Sequence, residues 1–148
     1  MFHKSPSNLW IAIFNVFQGG TMTIAVSLYM GQATPANLLR TFACAYCAGV
    51  MLTLFLNVPG FGAKVAGLLR CSKKPVLEYL VSGAAGGALT GIFMNFFITF
   101  MMLGPVPDFL PAFWHTLAFS MLVSAIASCC WIKVADFLVS KAYPGQAA

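Results

Sequence analysis

The chain has very little charge. Only 7% of its 148 residues are Asp, Glu, Lys or Arg, against about 25% in soluble domains. A soluble fold of this size needs far more polar surface to stay dispersed in water, so lipid must cover most of the chain. Acidic residues are scarcest: there are three, Glu78, Asp108 and Asp136. None falls in the middle of an apolar stretch, which disfavours a proton-driven carrier, since such carriers hold an ionisable group within the membrane. The two histidines are too few and too far apart for a His-based metal cage. A Ser/His/Asp arrangement has no carboxylate to complete it except Asp108, which sits in a turn. No phosphate-binding loop is present, because the glycines from Gly83 to Gly91 lie in an apolar run rather than after a strand. No Lys/Arg run is interleaved with aromatics, so nucleic acid is not an expected partner. Catalytic residues, metals and cofactors are all absent from this reading.

What the chain has instead is hydrocarbon. Hydrophobic residues make up 60%, against about 45–50% in soluble domains. A helix needs about 20 apolar residues to cross the bilayer core, and four stretches qualify: 9–30, 37–58, 76–103 and 109–132. Pro35, Pro59-Gly60, Pro75 and Gly104-Pro105 punctuate them. The first could be mistaken for a cleaved leader, given His3, Lys4 and the small residues Gly31 and Ala33. It is longer than a leader core and carries Asn15 and Gln18, so it reads as a membrane helix. Of the eight Lys and Arg residues, all but Arg40 fall on one side if the chain crosses four times. Lys4 precedes the first span; Lys64, Arg70, Lys73 and Lys74 lie between the second and third; Lys133 and Lys141 follow the fourth. Positive charge on the cytoplasmic side then predicts a multi-pass inner-membrane protein with both termini cytoplasmic, in one domain spanning 1–148. The basic middle loop, 59–74, looks interfacial, with Val65, Ala66, Leu68 and Leu69 on its apolar side and cations reaching anionic lipid headgroups. Glu78 reads as a first-turn carboxylate complementing the helix end, paired with Lys73 or Lys74.

The two halves echo each other. Gly19-Gly20-Thr21-Met22 matches Gly91-Ile92-Phe93-Met94, and each half reaches an outer-turn glycine, Gly31 or Gly104. Arg40-Thr41-Phe42-Ala43 parallels His115-Thr116-Leu117-Ala118, and the Lys64–Leu69 segment parallels Lys133–Leu138, with a deletion opposite Asn57 to Phe61. Four matches in order mark an internal repeat, 9–70 and 76–141. Because each unit crosses twice, both enter from the same side, which predicts a parallel repeat about an axis along the membrane normal. The fold class expected is all-α: an integral membrane four-helix bundle of two parallel two-helix repeats. The second half, with Met94, Gly104, Phe109-Leu110, Trp114 and the basic end at Lys133, resembles small bacterial two-transmembrane-helix proteins of unknown function (DUF2798-like). The first half is similar to them more loosely, with Leu39 where the Trp would stand. The resemblance implies a tandem pair in a bacterial inner membrane, and it brings no activity, cofactor or catalytic residue.

Residues four apart share a helix face. Helix by helix, that register collects Asn15, Gly19, Thr23, Ser27 and Gly31; Thr41, Ala45, Gly49, Thr53 and Asn57; Gly83, Gly87, Gly91, Asn95 and Thr99; and Thr116, Ser120, Ser124 and Ser128. Small-xxx-small stripes let membrane helices approach closely, and Ser, Thr and Asn add interhelical hydrogen bonds. The first expectation is therefore packing, with Gly19, Gly49, Gly83, Gly87 and Gly91 as contact points. The second is that the polar interior (Asn15, Thr23, Ser27, Thr53, Asn57, Asn95, Thr99, Ser120, Ser124) lines a path for a small solute.

Two further groups invite chemistry. Cys44 and Cys47 form a CxxC, but they lie on the order of 10 Å inside a span by helical rise, where apolar burial quiets a thiol. Arg40 and His115 occupy equivalent repeat positions at the outer starts of their helices, so that pseudo-symmetry would turn both to one outer mouth, with Asp108 one short turn away. They form a candidate shallow ligand site, set against plain snorkelling of amphipathic side chains to the interface. Taken together, the residues predict a non-enzymatic scaffold or accessory subunit that partners lipid and either a second copy or another membrane protein. A small channel or passive transporter is the alternative, and a thiol redox protein ranks last.

Overall fold

A computed structural model describes residues 8–71 and 74–142. Five helices follow in order: α1 Asn8–Tyr29, α2 Pro35–Leu56, α3 Val58–Leu68, α4 Pro75–Leu103 and α5 Phe109–Ala142, and no strand occurs among the described residues. All but α3 are long and apolar enough to cross a membrane, and the chain is a multi-pass membrane protein built as an all-helical bundle. Neighbouring pairs are α1·α2, α2·α4, α4·α5 and α5·α1, with α3 laid against α4. The four long helices thus form a closed ring. Its outer surface is Leu, Phe, Val and Ile, such as Phe55, Leu39 and Leu122, as a lipid-facing surface requires.

Local signals set the helix ends. Thr34 caps α2, its Oγ1 accepting from the Asn37 backbone N–H at 3.3 Å, and Pro35 follows at the first helical position. That cap starts the helix two residues ahead of the expected Asn37. Gly31 and Gly104, at the two outer turns, both take positive φ (67° and 75°), a region where glycine carries no Cβ penalty.

The second expected span corrects at its end. Asn57 is exposed and sits in the left-handed region (φ 43°, ψ 58°), closing α2 and capping α3 through its Oδ1, which accepts from Gly60 N–H at 3.2 Å. The interior role expected for Asn57 therefore fails: it punctuates a break instead. The middle loop is largely the helix α3, whose buried residues are Val58, Gly62 and Ala66, while Leu68 and Leu69 stay exposed. Asn57→Val is expected to cost about 1–2 kcal/mol from the left-handed backbone, with Asn57→Gly staying within about 1 kcal/mol. Thermal denaturation in detergent reads the difference, and equal melting of the two variants would contradict it.

The fourth span also runs further than expected, from Phe109 through Ile132 to Ala142. Its 34 residues reach about 51 Å by helical rise, well beyond about 30 Å of hydrocarbon. The extension is anchored: Ala135 is fully buried with Trp10, Ile11 and Phe14, and Trp10 Nε1 donates to Asp136 Oδ1 at 2.7 Å. Lys133 sits over the Tyr79 ring at 4.5 Å. The start of α1, the α2–α3 junction, the start of α4 and the end of α5 consequently share one end of the bundle. The described cations Lys64, Arg70, Lys74, Lys133 and Lys141 belong to that end, while Arg40 donates to the Met101 carbonyl at the other. Lys4 and Lys73 lie outside the described residues.

Candidate functional site

Every member of the four small-residue stripes is buried except Gly31 and Asn57. They do not form one uniform surface, because three zones stack along the bundle.

Nearest the outer turns, α4 and α5 are clamped by an amide. Asn95 Oδ1 accepts from Thr116 Oγ1 at 3.0 Å and Ser120 Oγ at 2.9 Å, and its Nδ2 donates to the Phe113 carbonyl at 3.2 Å. Such bonds hold helices together where no water can replace them. Beside this clamp lies a dry cluster of Met22, Val26, Ala45, Met94 and Ile98, flanked by Met30, Met102 and Val123. Thr23 and Ser27, on the adjoining face of α1, are buried with hydroxyls that have no hydrogen-bond partner.

The middle zone is built around Gln18, which the stripe register passed over. Its Nε2 donates to Ser124 Oγ at 2.6 Å, and Ser124 Oγ donates to the Gly87 carbonyl at 2.6 Å. The chain of bonds ties α1 to α5 and α5 to α4. Asn15 works alongside, its Nδ2 donating to Thr53 Oγ1 at 3.3 Å and to the Ile11 carbonyl at 2.8 Å. Gln18 Oε1 and Asn15 Oδ1 remain unpartnered.

The third zone is open. A cavity of about 810 Å³ enters the basic end between α1, α3, α4 and α5. Trp10 and Phe14, stacked at 5.0 Å, supply an aromatic wall, with Tyr79 also lining it. Thr53, Gly83, Gly86 and Gly87 shape the deeper part. Glu78, Lys133 and Asp136 also line the cavity, so two of the three carboxylates of the chain converge here. Ser82 and Ser128, 3% and 1% exposed, line the same space with hydroxyls that have no partner. Leaving a buried polar group unpaired costs about 1–3 kcal/mol.

The cavity exists because α3 and α5 are not what the hydropathy pattern describes. Gly62 brings α3 against the Ser82 backbone, roofing one side, and the continuation of α5 past Ile132 supplies Lys133 and Asp136 for another. Glu78 is half-buried; its backbone N–H donates to the Lys74 carbonyl at 2.9 Å, but its carboxylate makes no hydrogen bond or ion pair with any described residue. The expected pairing with Lys74 is not formed; Lys73 lies outside the described residues. A second register, Glu78, Ser82 and Gly86, runs beside the glycine stripe on α4 and lines the cavity with it. It is legible in the sequence once both registers are drawn.

The outer residues do not assemble. Arg40 reaches the end of α4, whereas the His115 ring lies against Tyr29 of α1 at 5.6 Å. Asp108 is exposed in the α4–α5 turn, and no ion pair links the three. Cys44 and Cys47 are free thiols in α2, as are Cys129 and Cys130 in α5 and Cys71 after α3. Among the described residues no group of His, Cys, Asp and Glu could hold a metal ion.

No family model matches the chain, and neither a curated protein nor a solved structure matches it.

Proposed function

We propose that this protein is a non-enzymatic membrane transporter or channel-like facilitator for a small solute, open towards the basic end of the bundle. The observation that carries the reading is the 810 Å³ cavity together with what continues it. Unpartnered polar groups on Asn15, Gln18, Thr23 and Ser27 run from its floor along the buried face of α1 towards the outer turn. Packing alone favours apolar or hydrogen-bonded groups in that position. A scaffold would need neither the cavity nor the column, so the solute reading ranks above the accessory-subunit reading. The dry Met22/Met94 cluster closes the outer half, as a state open to one side requires.

The cations at the cavity end support a cytoplasmic-facing reading for it in an inner membrane, with both termini on that side, since positive charge is retained there. The tandem repeat accords with this arrangement. Gly19 abuts the backbone of Ala45 and Tyr46, and Gly91 abuts that of Ser120 and Met121, at matching positions of the two halves. Met22 and Met94 are both fully buried, as are Ala66 and Ala135. These correspondences favour the parallel two-fold reading, and with it the kinship to tandem DUF2798-like units.

Cysteine accessibility tests the proposal. In a chain stripped of its five native cysteines and reconstituted in liposomes, Ser82→Cys should react with a membrane-impermeant thiol reagent from the basic side. Ser27→Cys, fully buried within the closed half, and Met94→Cys should react from neither side. If Ser82→Cys is as inert as Met94→Cys, the cavity is not open to water and the transport reading falls.

A further inference from the structure

We infer that the cavity takes an amphipathic organic cation, with its charge held by Glu78 and Asp136 and its apolar body against Trp10 and Phe14. The inference rests on the solute reading above and names its ligand class.

Three observations converge on it. The first is charge. The chain as a whole carries +5, yet among the described residues the cavity lining sets two carboxylates, Glu78 and Asp136, against one ammonium, Lys133. The described lining of this cavity therefore has the opposite sign to the rest of the molecule, and low-dielectric walls strengthen such a field. The second is the aromatic wall. Ring faces attract cations, most strongly where water is excluded, and Trp10, Phe14 and Tyr79 all border the space. Lys133 already demonstrates the effect, since its ammonium rests over the Tyr79 ring at 4.5 Å. An alkylammonium is thus at home at this mouth. The third is the pair of buried, unpartnered hydroxyls on Ser82 and Ser128. They make the wall beside the carboxylates polar, with Ser82 Oγ against Gly62 of α3 and Ser128 Oγ against Gly87 of α4. Asp136 is oriented for the task by the Trp10 N–H at 2.7 Å, whereas the Glu78 carboxylate has no described partner to lose.

An anionic ligand inside the cavity fits less well, because it would face both carboxylates with Lys133 as the one cation among the described lining residues. A lipid phosphate meets the same objection.

Tetraphenylphosphonium and tetraphenylborate make the test, being matched in size and shape and opposite in charge. Equilibrium dialysis of the full chain in detergent would measure both, with the cavity-filling variant Ala63→Trp as background. Tetraphenylphosphonium should bind the wild-type chain more tightly than tetraphenylborate. Glu78→Gln should weaken it by about tenfold, the scale of one largely solvent-screened charge contact. Lys133→Gln should change affinity in the opposite direction, tightening it. Opposed signs separate electrostatics from structural damage, since damage lowers both. If both ions bind alike and Ala63→Trp removes both, the cavity reading stands and the cation preference is overturned. If neither ion binds, the inference is overturned, and the Ser82→Cys experiment then decides separately whether the cavity is open at all.

Discussion

Gly87→Leu is expected to prevent the bundle from assembling, and Gly87→Ala to destabilise it by about 1–3 kcal/mol, the usual cost of overpacking a filled interior. A Cβ at position 87 would lie 2.6 Å from the Ser124 carbonyl oxygen, 2.6 Å from Ser128 Oγ and 2.8 Å from the Ala125 Cα. Two of those atoms belong to the α5 backbone and cannot turn aside, so the helices themselves must part. Parting them breaks more than van der Waals contact. Ser124 Oγ donates to the Gly87 carbonyl at 2.6 Å while accepting from Gln18, so α1 loses its anchor at the same time. Each such bond is worth about 0.6–2 kcal/mol in a membrane bundle. Gly20 is the control. A Cβ there meets only the Phe42 ring edge at 3.7 Å, and alanine is a better helix former than glycine by about 0.5–1 kcal/mol. Gly20→Ala should therefore melt at or above the wild-type temperature in detergent, and Gly87→Ala clearly below it. If both glycine variants melt together, the α4–α5 contact is not what holds the bundle.

That contact was legible in the sequence, as was most of the architecture. Helix boundaries follow from apolar length, proline and glycine, all of which act locally. The burial of Gly83, Gly87, Gly91, Asn95, Ser120 and Ser124 follows from spacing, because lipid leaves small and polar residues only one face to occupy. Two features escaped because they depend on residues far apart in the chain. The end of α5 continues past Ile132 through polar residues that hydropathy counts as exit from the membrane; it stays helical because Trp10 and Phe14, from the start of the chain, pack on Ala135. Asn57 continues the stripe register on paper, and nothing in that register shows that Pro59 and Gly60 turn it into a cap. Together these two shifts bring α3, Lys133 and Asp136 around the mouth of a cavity. Glu78 was read as a helix-end charge, which describes its position on α4 but not the space it faces.

The halves also compensate for each other in a way that single-helix patterns conceal. A Cβ at Gly49 would run into Asn15 and Met94, so the large polar residue sits on α1 and the small one on α2. In the other half the assignment is reversed: Gly87 on α4 faces Ser124 on α5. Both pairs fill one helix crossing with one side chain. Drawn as stripes, all four positions look like interchangeable small residues. Drawn as pairs, exchanging Gly49 for serine would place a second side chain where Asn15 already lies, despite the match in size and polarity to Ser124.

Filling the cavity should separate function from folding. Ala63→Trp, on α3, is expected to abolish binding of the proposed solute, probed with tetraphenylphosphonium, while leaving the melting temperature close to that of the wild-type chain. Position 63 lines the cavity and is only partly buried, so an indole there has open space to occupy rather than a packed neighbour to displace. Burying it against Trp10 and Phe14 contributes apolar contact, at about 25 cal/mol for each Å² removed from water, which offsets the side-chain entropy lost on ordering the ring. Stability is therefore expected to hold. The solute has no such latitude. The α4 wall behind it is Gly83, Gly86 and Gly87, where Gly86 already has Val58 within 3.1 Å of a would-be Cβ, so the cavity cannot expand on that side to admit both. Ala63→Ser, which adds one atom, should bind as the wild type does. The informative measurement is the pair of readouts on each variant: dialysis binding of tetraphenylphosphonium and thermal denaturation. A tryptophan at position 63 that leaves binding intact would mean the ligand contacts lie elsewhere, whatever it does to the melt. One that removes binding only by unfolding the chain would make α3 a structural strut rather than the roof of a site.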